Sequence, residues 1–302
     1  MKILLQFPEG LKQHALKHAK ALEKERNEVF VSATPSFGAC DLAIEEAKAI
    51  GADKLVHFGH NEFKKANFNV EYVPYEIDAD MSILDNSLDM LKEYKKIGIV
   101  TTVQHLHQLG QVKEFYSRNG KEIFIGKPYG FAKAHGQILG CDVGSASTID
   151  SIVECFVYFG GGLFHPLGAV YGTTKPFLSI DPFIKKMEWL DRYREIHSKA
   201  SKGKIMRSID ARKFGILVST KTGQHNMNLA KMLKNIIESN GNDAAILIGD
   251  TFDFYSLDNM LEFDAFVSTA CPRIATDDID RVRKPLMNAN EVLELMKIRK
   301  QE

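Results

Sequence analysis

The sequence predicts an α/β protein assembled from three homologous copies of one small parallel-sheet β-α-β-α-β unit, and three observations predict it. Short apolar strands alternate with amphipathic helices along the chain, and the pattern restarts twice after polar connectors. Each copy also carries one cysteine directly after a glycine or alanine, in a loop. The strands are continuous apolar runs, as expected of parallel sheets covered on both faces.

The first copy opens with the strand Ile3-Leu4-Leu5-Gln6-Phe7, followed by a helix whose apolar face is Leu11, Ala15, Ala19 and Leu22. A second strand (Val29-Phe30-Val31), a helix over Leu42 to Ile50 and a third strand (Leu55-Val56-His57-Phe58) lead to Gly59. The second copy begins at Ile97-Gly98-Ile99-Val100. It continues through a helix over Leu106 to Tyr116 and strands at Ile123-Phe124-Ile125 and Phe156-Val157-Tyr158-Phe159.

The third copy begins at Phe214-Gly215-Ile216-Leu217-Val218. Leu229, Met232, Leu233, Ile236 and Ile237 then recur at helical spacing. Its later strands are Ala245-Ile246-Leu247-Ile248 and Ala265-Phe266-Val267. Polar connectors at Glu93 to Lys96 and Ser198 to Arg212 divide the chain into repeat domains 1–95, 96–205 and 206–302. A pseudo-threefold arrangement would bring equivalent strand ends to one centre, and ligands of open α/β sheets bind outside those carboxyl ends.

Composition narrows the function classes. The chain has 302 residues, of which 44% are hydrophobic, and its 39 Lys plus Arg balance its 39 Asp plus Glu. That balance supplies no positive field for phosphate-led binding, so nucleic acid is not expected as a partner. The apolar stretch after Met1-Lys2 is too short for a signal-peptide core, and no apolar run reaches membrane-spanning length. The expectation is a cytoplasmic protein with no membrane partner, whose four cysteines are reduced and not disulfide-bonded.

Cys40 (in Phe37-Gly38-Ala39-Cys40-Asp41) and Cys141 (in Leu139-Gly140-Cys141-Asp142) follow second strands and precede helices. Cys271, in Ser268-Thr269-Ala270-Cys271-Pro272-Arg273, follows a third strand. All three occupy carboxyl-end loops. Cys155 instead begins an apolar strand and reads as a small buried hydrophobe. Thiolates on three separate repeats suit an iron–sulfur cluster. Zinc with a histidine is the alternative, but structural zinc sites usually place ligands in close pairs, which are absent here.

The strings around these cysteines resemble those of the archaeal 2-(3-amino-3-carboxypropyl)histidine synthase family, which acts first in diphthamide biosynthesis. The matching stretches are Leu5 to Leu11, Phe37 to Asp41, Phe58-Gly59-His60, Leu139 to Asp142, Phe159 to His165 and Ser268 to Ile274, in the family's order. The resemblance implies a homodimer with one 4Fe-4S cluster held by Cys40, Cys141 and Cys271, and S-adenosylmethionine as co-substrate. It further implies an external electron donor and a histidine of translation elongation factor 2 as acceptor. The family lacks the C-x₃-C-x₂-C string of other radical enzymes using this compound, as does this sequence. It breaks the bond from sulfur to the methionine γ-carbon and joins the resulting group to imidazole C2.

Within that resemblance, Gly160-Gly161-Gly162 would let the co-substrate approach the backbone, or would simply form a turn. Thr222-Gly223-Gln224, read at a helix start, would offer N–H groups to the methionine carboxylate, or would only initiate the helix. Arg273 is a candidate carboxylate partner, weighed against a plain surface arginine. His60 and His165 follow third strands in equivalent positions, where a satisfied structural histidine is the competing reading. The run Asp277-Asp278-Ile279-Asp280 reads as a solvated helix cap. The nearest enzyme alternative resembles quinolinate synthase, and a noncatalytic electron-transfer subunit of a synthase pair is the alternative from another class.

Overall fold

A computed structural model describes residues 1–277 and 281–300. The chain forms two compact units, Met1–Tyr193 and Arg194–Glu302. The first unit contains strands β1 (Lys2–Gln6), β2 (Glu28–Val31), β3 (Lys54–Phe58) and β4 (Val70–Val73), with helices α1 (Ala15–Glu23), α2 (Ile44–Ala49) and α3 (Ile83–Met90). It continues with β5 (Lys96–Thr101), α4 (Leu109–Arg118), β6 (Glu122–Phe124), α5 (Gly144–Ser147), β7 (Cys155–Phe159), α6 (Phe164–Gly172), β8 (Phe177–Asp181) and β9 (Lys186–Trp189). Helix α7 (Asp191–Arg207) leads into the second unit. There β10 (Lys213–Ser219), α8 (Met227–Ser239), β11 (Asp243–Gly249), α9 (Phe254–Asp258), β12 (Ala265–Ser268), α10 (Ile274–Asp277), β13 (Leu286–Asn288) and α11 (Ala289–Arg299) follow.

The three sheets share one strand order. They run β2-β1-β3-β4, β6-β5-β7-β8-β9 and β11-β10-β12-β13, so the first strand of each copy lies between its second and third. Every pairing is parallel except β8 with β9. That exception corrects the expectation of purely parallel sheets. The connection from Pro182 to Lys185, with Lys185 at φ 52°, is far too short for a crossover, so the chain returns as a hairpin. The fourth strands β4, β8 and β13 were also not anticipated. Polar residues break or end their apolar runs, Glu71 in β4, Ser179 in β8 and Asn288 in β13.

Each sheet buries apolar side chains on both faces, which is why its inner strands are unbroken apolar runs. On the first sheet Ile3, Leu5 and Phe7 pack on one face, and Leu4 and Leu55 meet Leu42 and Ala47 on the other. On the second, Ile97, Ile99 and Val157 oppose Val100, Phe156 and Tyr158. On the third, Phe214, Ile216 and Val218 oppose Leu217 and Phe266.

A carboxylate repeated in all three copies marks them as one unit. Asp53, Glu154 and Asp264 each stand at or just before a third strand and accept backbone N–H groups where the first strand begins. Asp53 accepts from Lys2 at 2.7 Å, Glu154 from Lys95 and Lys96 at 2.5 and 3.0 Å, and Asp264 from Arg212 and Lys213 at 2.8 and 2.9 Å. Copies two and three also share a close packing: Gly98 pairs with Phe156 and Gly215 with Phe266. A Cβ on either glycine would come within 2.7 Å of the phenylalanine ring.

The helices begin later than periodicity suggests in three places. Leu11, expected on the first helix, lies in a 3-10 turn over Glu9–His14, and α1 starts only at Ala15. The segment expected to be helical from Leu106 opens as a 3-10 turn over Val103–Gln108 before α4, and the helix expected from Leu42 is confined to Ile44–Ala49. No described helix is long and apolar enough to cross a membrane.

Candidate metal centre

Cys40 and Cys141 lie in loops on the carboxyl side of the first two sheets, and the aspartate after each cysteine folds its loop. Asp41 accepts from the Phe37 N–H at 3.2 Å, while its own N–H donates to the Gly38 carbonyl at 2.9 Å. Asp142 accepts from Phe131, from Ala132 at 3.1 Å and from Gly144 at 3.0 Å. Such carboxylate-to-backbone bonds fix loop backbones that would otherwise be mobile. The Cys-Asp pairing was visible in the sequence, but its purpose was not.

Close packing completes the Cys141 loop. Phe164, at the start of α6, lies where a Gly140 Cβ would be, at 2.2 Å, and the Gly140 carbonyl lies 2.4 Å from where a Gly168 Cβ would be. Neither position has room for a side chain. Cys141 is exposed and Cys40 half-buried.

Cys271, in the second unit, has no aspartate after it, and other groups hold its loop. The Asn288 side-chain amide donates to the Pro272 carbonyl at 3.1 Å, and the Ile274 N–H donates to the Cys271 carbonyl at 3.2 Å. Beneath the loop is a buried ion pair, Lys204 Nζ to Glu291 Oε1 at 2.6 Å, with side chains 2% and 8% exposed. Lys204 also donates to the Ala275 carbonyl at 2.8 Å, and Glu291 accepts from the Asn288 N–H at 2.7 Å as part of the cap of α11. Burial pushes the Cys271 thiol upward, against the pull of Arg273. Metal binding would therefore have to displace its proton.

Cys155 behaves differently from the other three. It is wholly buried in β7 opposite Ile97, and burial pushes its thiol up to about 12. Within neither unit do three His, Cys, Asp or Glu side chains converge to cage a single metal ion, among the described residues. The first unit carries two of the candidate cysteines and the second carries one.

Behind Cys40 runs a polar chain that pattern reading missed. The Gln6 side-chain amide donates through Nε2 to the Asp41 carbonyl at 2.7 Å, and its Oε1 accepts from the Ala43 N–H at 3.1 Å. Its Oε1 also lies 2.8 Å from His57 Nδ1, and His57 Nε2 lies 3.0 Å from His60 Nδ1. Burial, helped by the neighbouring His60, lowers His57 to about 3, and burial lowers His60 to about 4. Both rings are therefore neutral at physiological pH. In the sequence His57 is one residue of an apolar strand, and nothing local marks its partners.

The unfolded chain protonates both rings below about pH 6.5, while the folded chain resists until about pH 4. Folding stability is full above pH 6.5 and declines on acidification, by about 2 kcal/mol per ring by pH 5. Urea unfolding of the full chain at pH 7 and pH 5 checks this, and a flat profile would contradict it.

Gly160 (φ 155°) and Gly162 (φ 73°) adopt conformations suited to glycine, and their N–H groups donate to the Ile180 carbonyl and to Asp181 at 2.9 Å. Asp181 also accepts from Phe183 and Ile184, tying the glycine turn to the β8–β9 hairpin. Thr222-Gly223-Gln224 precedes α8 and does not start it. The helix begins at Met227 with Asn226 as cap, and the Gln224 N–H donates to the Lys221 carbonyl.

Arg273 is buried and turns its guanidinium onto Asp277, at 2.9 and 2.8 Å, so it is not a surface arginine. His60 stands two residues beyond β3, whereas His165 lies in the first turn of α6 with its ring edge-on to Phe164. The two are thus not in equivalent positions. Asp277 ends α10, and the rest of the predicted acidic cap, from Asp278 to Asp280, lies outside the described residues.

Comparison with known proteins agrees with this architecture. Residues 7–302 match the family described as "Putative diphthamide synthesis protein". The 2-(3-amino-3-carboxypropyl)histidine synthase of Pyrococcus horikoshii is 35% identical over 99% of this chain and 87% of its own length. The Methanocaldococcus jannaschii synthase is 27% identical over 96% and 83%. Among solved structures, Dph2 from Pyrococcus horikoshii with a 4Fe-4S cluster superposes with a TM-score of 0.90 at 34% identity, covering 100% of this chain and 87% of that one. With three like sheets, a family match over nearly the whole chain and a solved relative of the same fold, the chain belongs to the diphthamide synthesis protein family.

Proposed function

We propose that this chain is a 2-(3-amino-3-carboxypropyl)histidine synthase. It moves the 3-amino-3-carboxypropyl group of S-adenosylmethionine to imidazole C2 of a histidine in translation elongation factor 2. The observation that carries this reading is its 35% identity over nearly its full length to a synthase of that name. Three cysteines in carboxyl-end loops, in a fold whose solved relative holds a 4Fe-4S cluster, support the same reading.

Cys40, Cys141 and Cys271, one from each proposed repeat domain (1–95, 96–205, 206–302), would hold the cluster. Thiolate donors on braced loops fit that group. When bound, the cluster supplies the electron that breaks a carbon–sulfur bond and one iron open to the sulfur of the co-substrate. The protein's task is orientation, because alignment decides which bond breaks. Gly160, Gly161 and Gly162, with Gly223, Gln224 and Arg273, are the proposed contacts of S-adenosylmethionine. Arg273 is the partner for its carboxylate. A homodimeric, cytoplasmic enzyme served by a separate electron donor completes the proposal.

The test is product analysis. Anaerobically reconstituted, dithionite-reduced protein given S-adenosylmethionine is expected to release 5′-deoxy-5′-methylthioadenosine. With elongation factor 2 present, the factor should gain one 3-amino-3-carboxypropyl group by mass spectrometry. If 5′-deoxyadenosine is the main product, or the factor is unmodified, the reading is wrong.

A further inference from the structure

The buried chain behind Cys40 has a chemical polarity that runs in one direction. Gln6 Nε2 faces a carbonyl and Gln6 Oε1 faces the Ala43 N–H, so the amide cannot be turned around. Oε1 only accepts, so the His57 Nδ1 beside it carries the proton and donates. A neutral imidazole has one N–H, which leaves His57 Nε2 as an acceptor and makes His60 Nδ1 the donor to it. His60 Nε2 is then left with its lone pair.

That nitrogen faces the Cys40 loop. Gly38 has φ 145°, and a Cβ there would lie 3.8 Å from both Cys40 Sγ and His60 Nε2, so both atoms border the same space. His60 stays partly accessible, whereas His57 is fully buried. A hydrogen bond between the His60 ring and the Phe58 backbone favours the protonated ring, against the effect of burial. The relay begins in the core and ends on one acceptor beside a candidate cluster ligand.

We propose that Gln6 and His57 are positioning residues that hold His60 in the Nδ1–H form, and that His60 Nε2 accepts a hydrogen bond from a nitrogen-borne proton of the bound reactants. The donor is either the α-ammonium of S-adenosylmethionine or the N–H of the acceptor imidazole. This rests on the synthase reading above. An acceptor held in a single tautomer selects for an N–H donor and against a carboxylate or thioether at the same place.

Two measurements test it. Long-range ¹H–¹⁵N correlation spectra of the full chain as purified should show His60 Nε2 as an unprotonated nitrogen and Nδ1 as protonated. In His57→Phe that preference should be lost. A protonated Nε2 in the parent chain overturns the proposal whatever the protein's activity.

The second measurement is the affinity of cluster-loaded protein for S-adenosylhomocysteine, by calorimetry. His60→Leu is expected to weaken it about tenfold or more, the worth of one charge-assisted hydrogen bond, and His60→Gln much less. The thioether lacking the amino group should bind parent and His60→Leu alike. If His60→Leu spares S-adenosylhomocysteine but raises KM for elongation factor 2, the donor is the acceptor imidazole. If neither changes, or both thioethers weaken equally, the proposal fails. Failure of the parent to bind S-adenosylhomocysteine at all would instead count against the synthase reading.

Discussion

Replacing Cys40, Cys141 or Cys271 singly with alanine is expected to remove nearly all cluster iron and visible absorbance from anaerobically reconstituted protein, and with them all turnover. Each of these thiols lies in a loop, half-buried or exposed, with no core to fill. The Cys40 and Cys141 loops are held by Asp41 and Asp142 and the Cys271 loop by Asn288, contacts that a lost sulfur leaves standing. Each variant should therefore fold, and the loss should be one of ligation. Cys155→Ala is the control. Its thiol is sealed in the second sheet and held protonated by burial, so the variant should keep its iron and lose only about 1 kcal/mol of stability through a small cavity. Full iron in any of the three loop variants, or its loss in Cys155→Ala, would overturn the ligand assignment.

Lys204→Met is expected to destabilise the chain by about 3–5 kcal/mol, because it leaves the Glu291 carboxylate buried without its cation. The same change removes the donor to the Ala275 carbonyl. Glu291 also anchors the first turn of α11, whose cap residue Asn288 holds the Pro272 carbonyl. The damage should therefore reach the Cys271 loop, and reconstituted iron should fall along with stability. The double variant Lys204→Met, Glu291→Leu removes both charges and should recover a large part of the lost stability. Urea denaturation with iron analysis checks both. Equal instability in the single and double variants would show that the pair acts only through packing.

The outline of the fold was legible because it is local. Continuous apolar runs such as Ile97-Gly98-Ile99-Val100 and helical periods such as Leu229 to Ile237 are properties of neighbouring residues, and the structure places a strand and a helix at each. The cysteine loops were legible for the same reason, since glycine, alanine, proline and aspartate around a cysteine mark a turn within a few positions. Cys155 could be set apart on its apolar strand alone. Membership of the diphthamide family was carried by six dispersed strings, which the match over residues 7–302 bears out.

What sequence order did not reveal is what joins distant residues. The carboxylates Asp53, Glu154 and Asp264 at the heads of the first strands depend on register between segments 51 to 59 residues apart, and β9 depends on the hairpin that turns it back along β8. Thr222 to Gln224 looked like a helix start because its residues permit one. The helix instead begins at Met227, where the Asn226 side chain can take the Leu229 N–H.

The same holds for the supports of the site. A lysine at 204 and a glutamate at 291 are unremarkable surface residues until the fold buries them together, and His57 is one strand residue among apolar neighbours until Gln6 and His60 flank it. The sequence by itself determined where strands, helices and candidate ligands lie, because apolar periodicity and turn chemistry act over a few residues. Tertiary structure alone decided which polar groups satisfy one another, because a buried donor takes whichever acceptor the packed chain brings within about 3 Å.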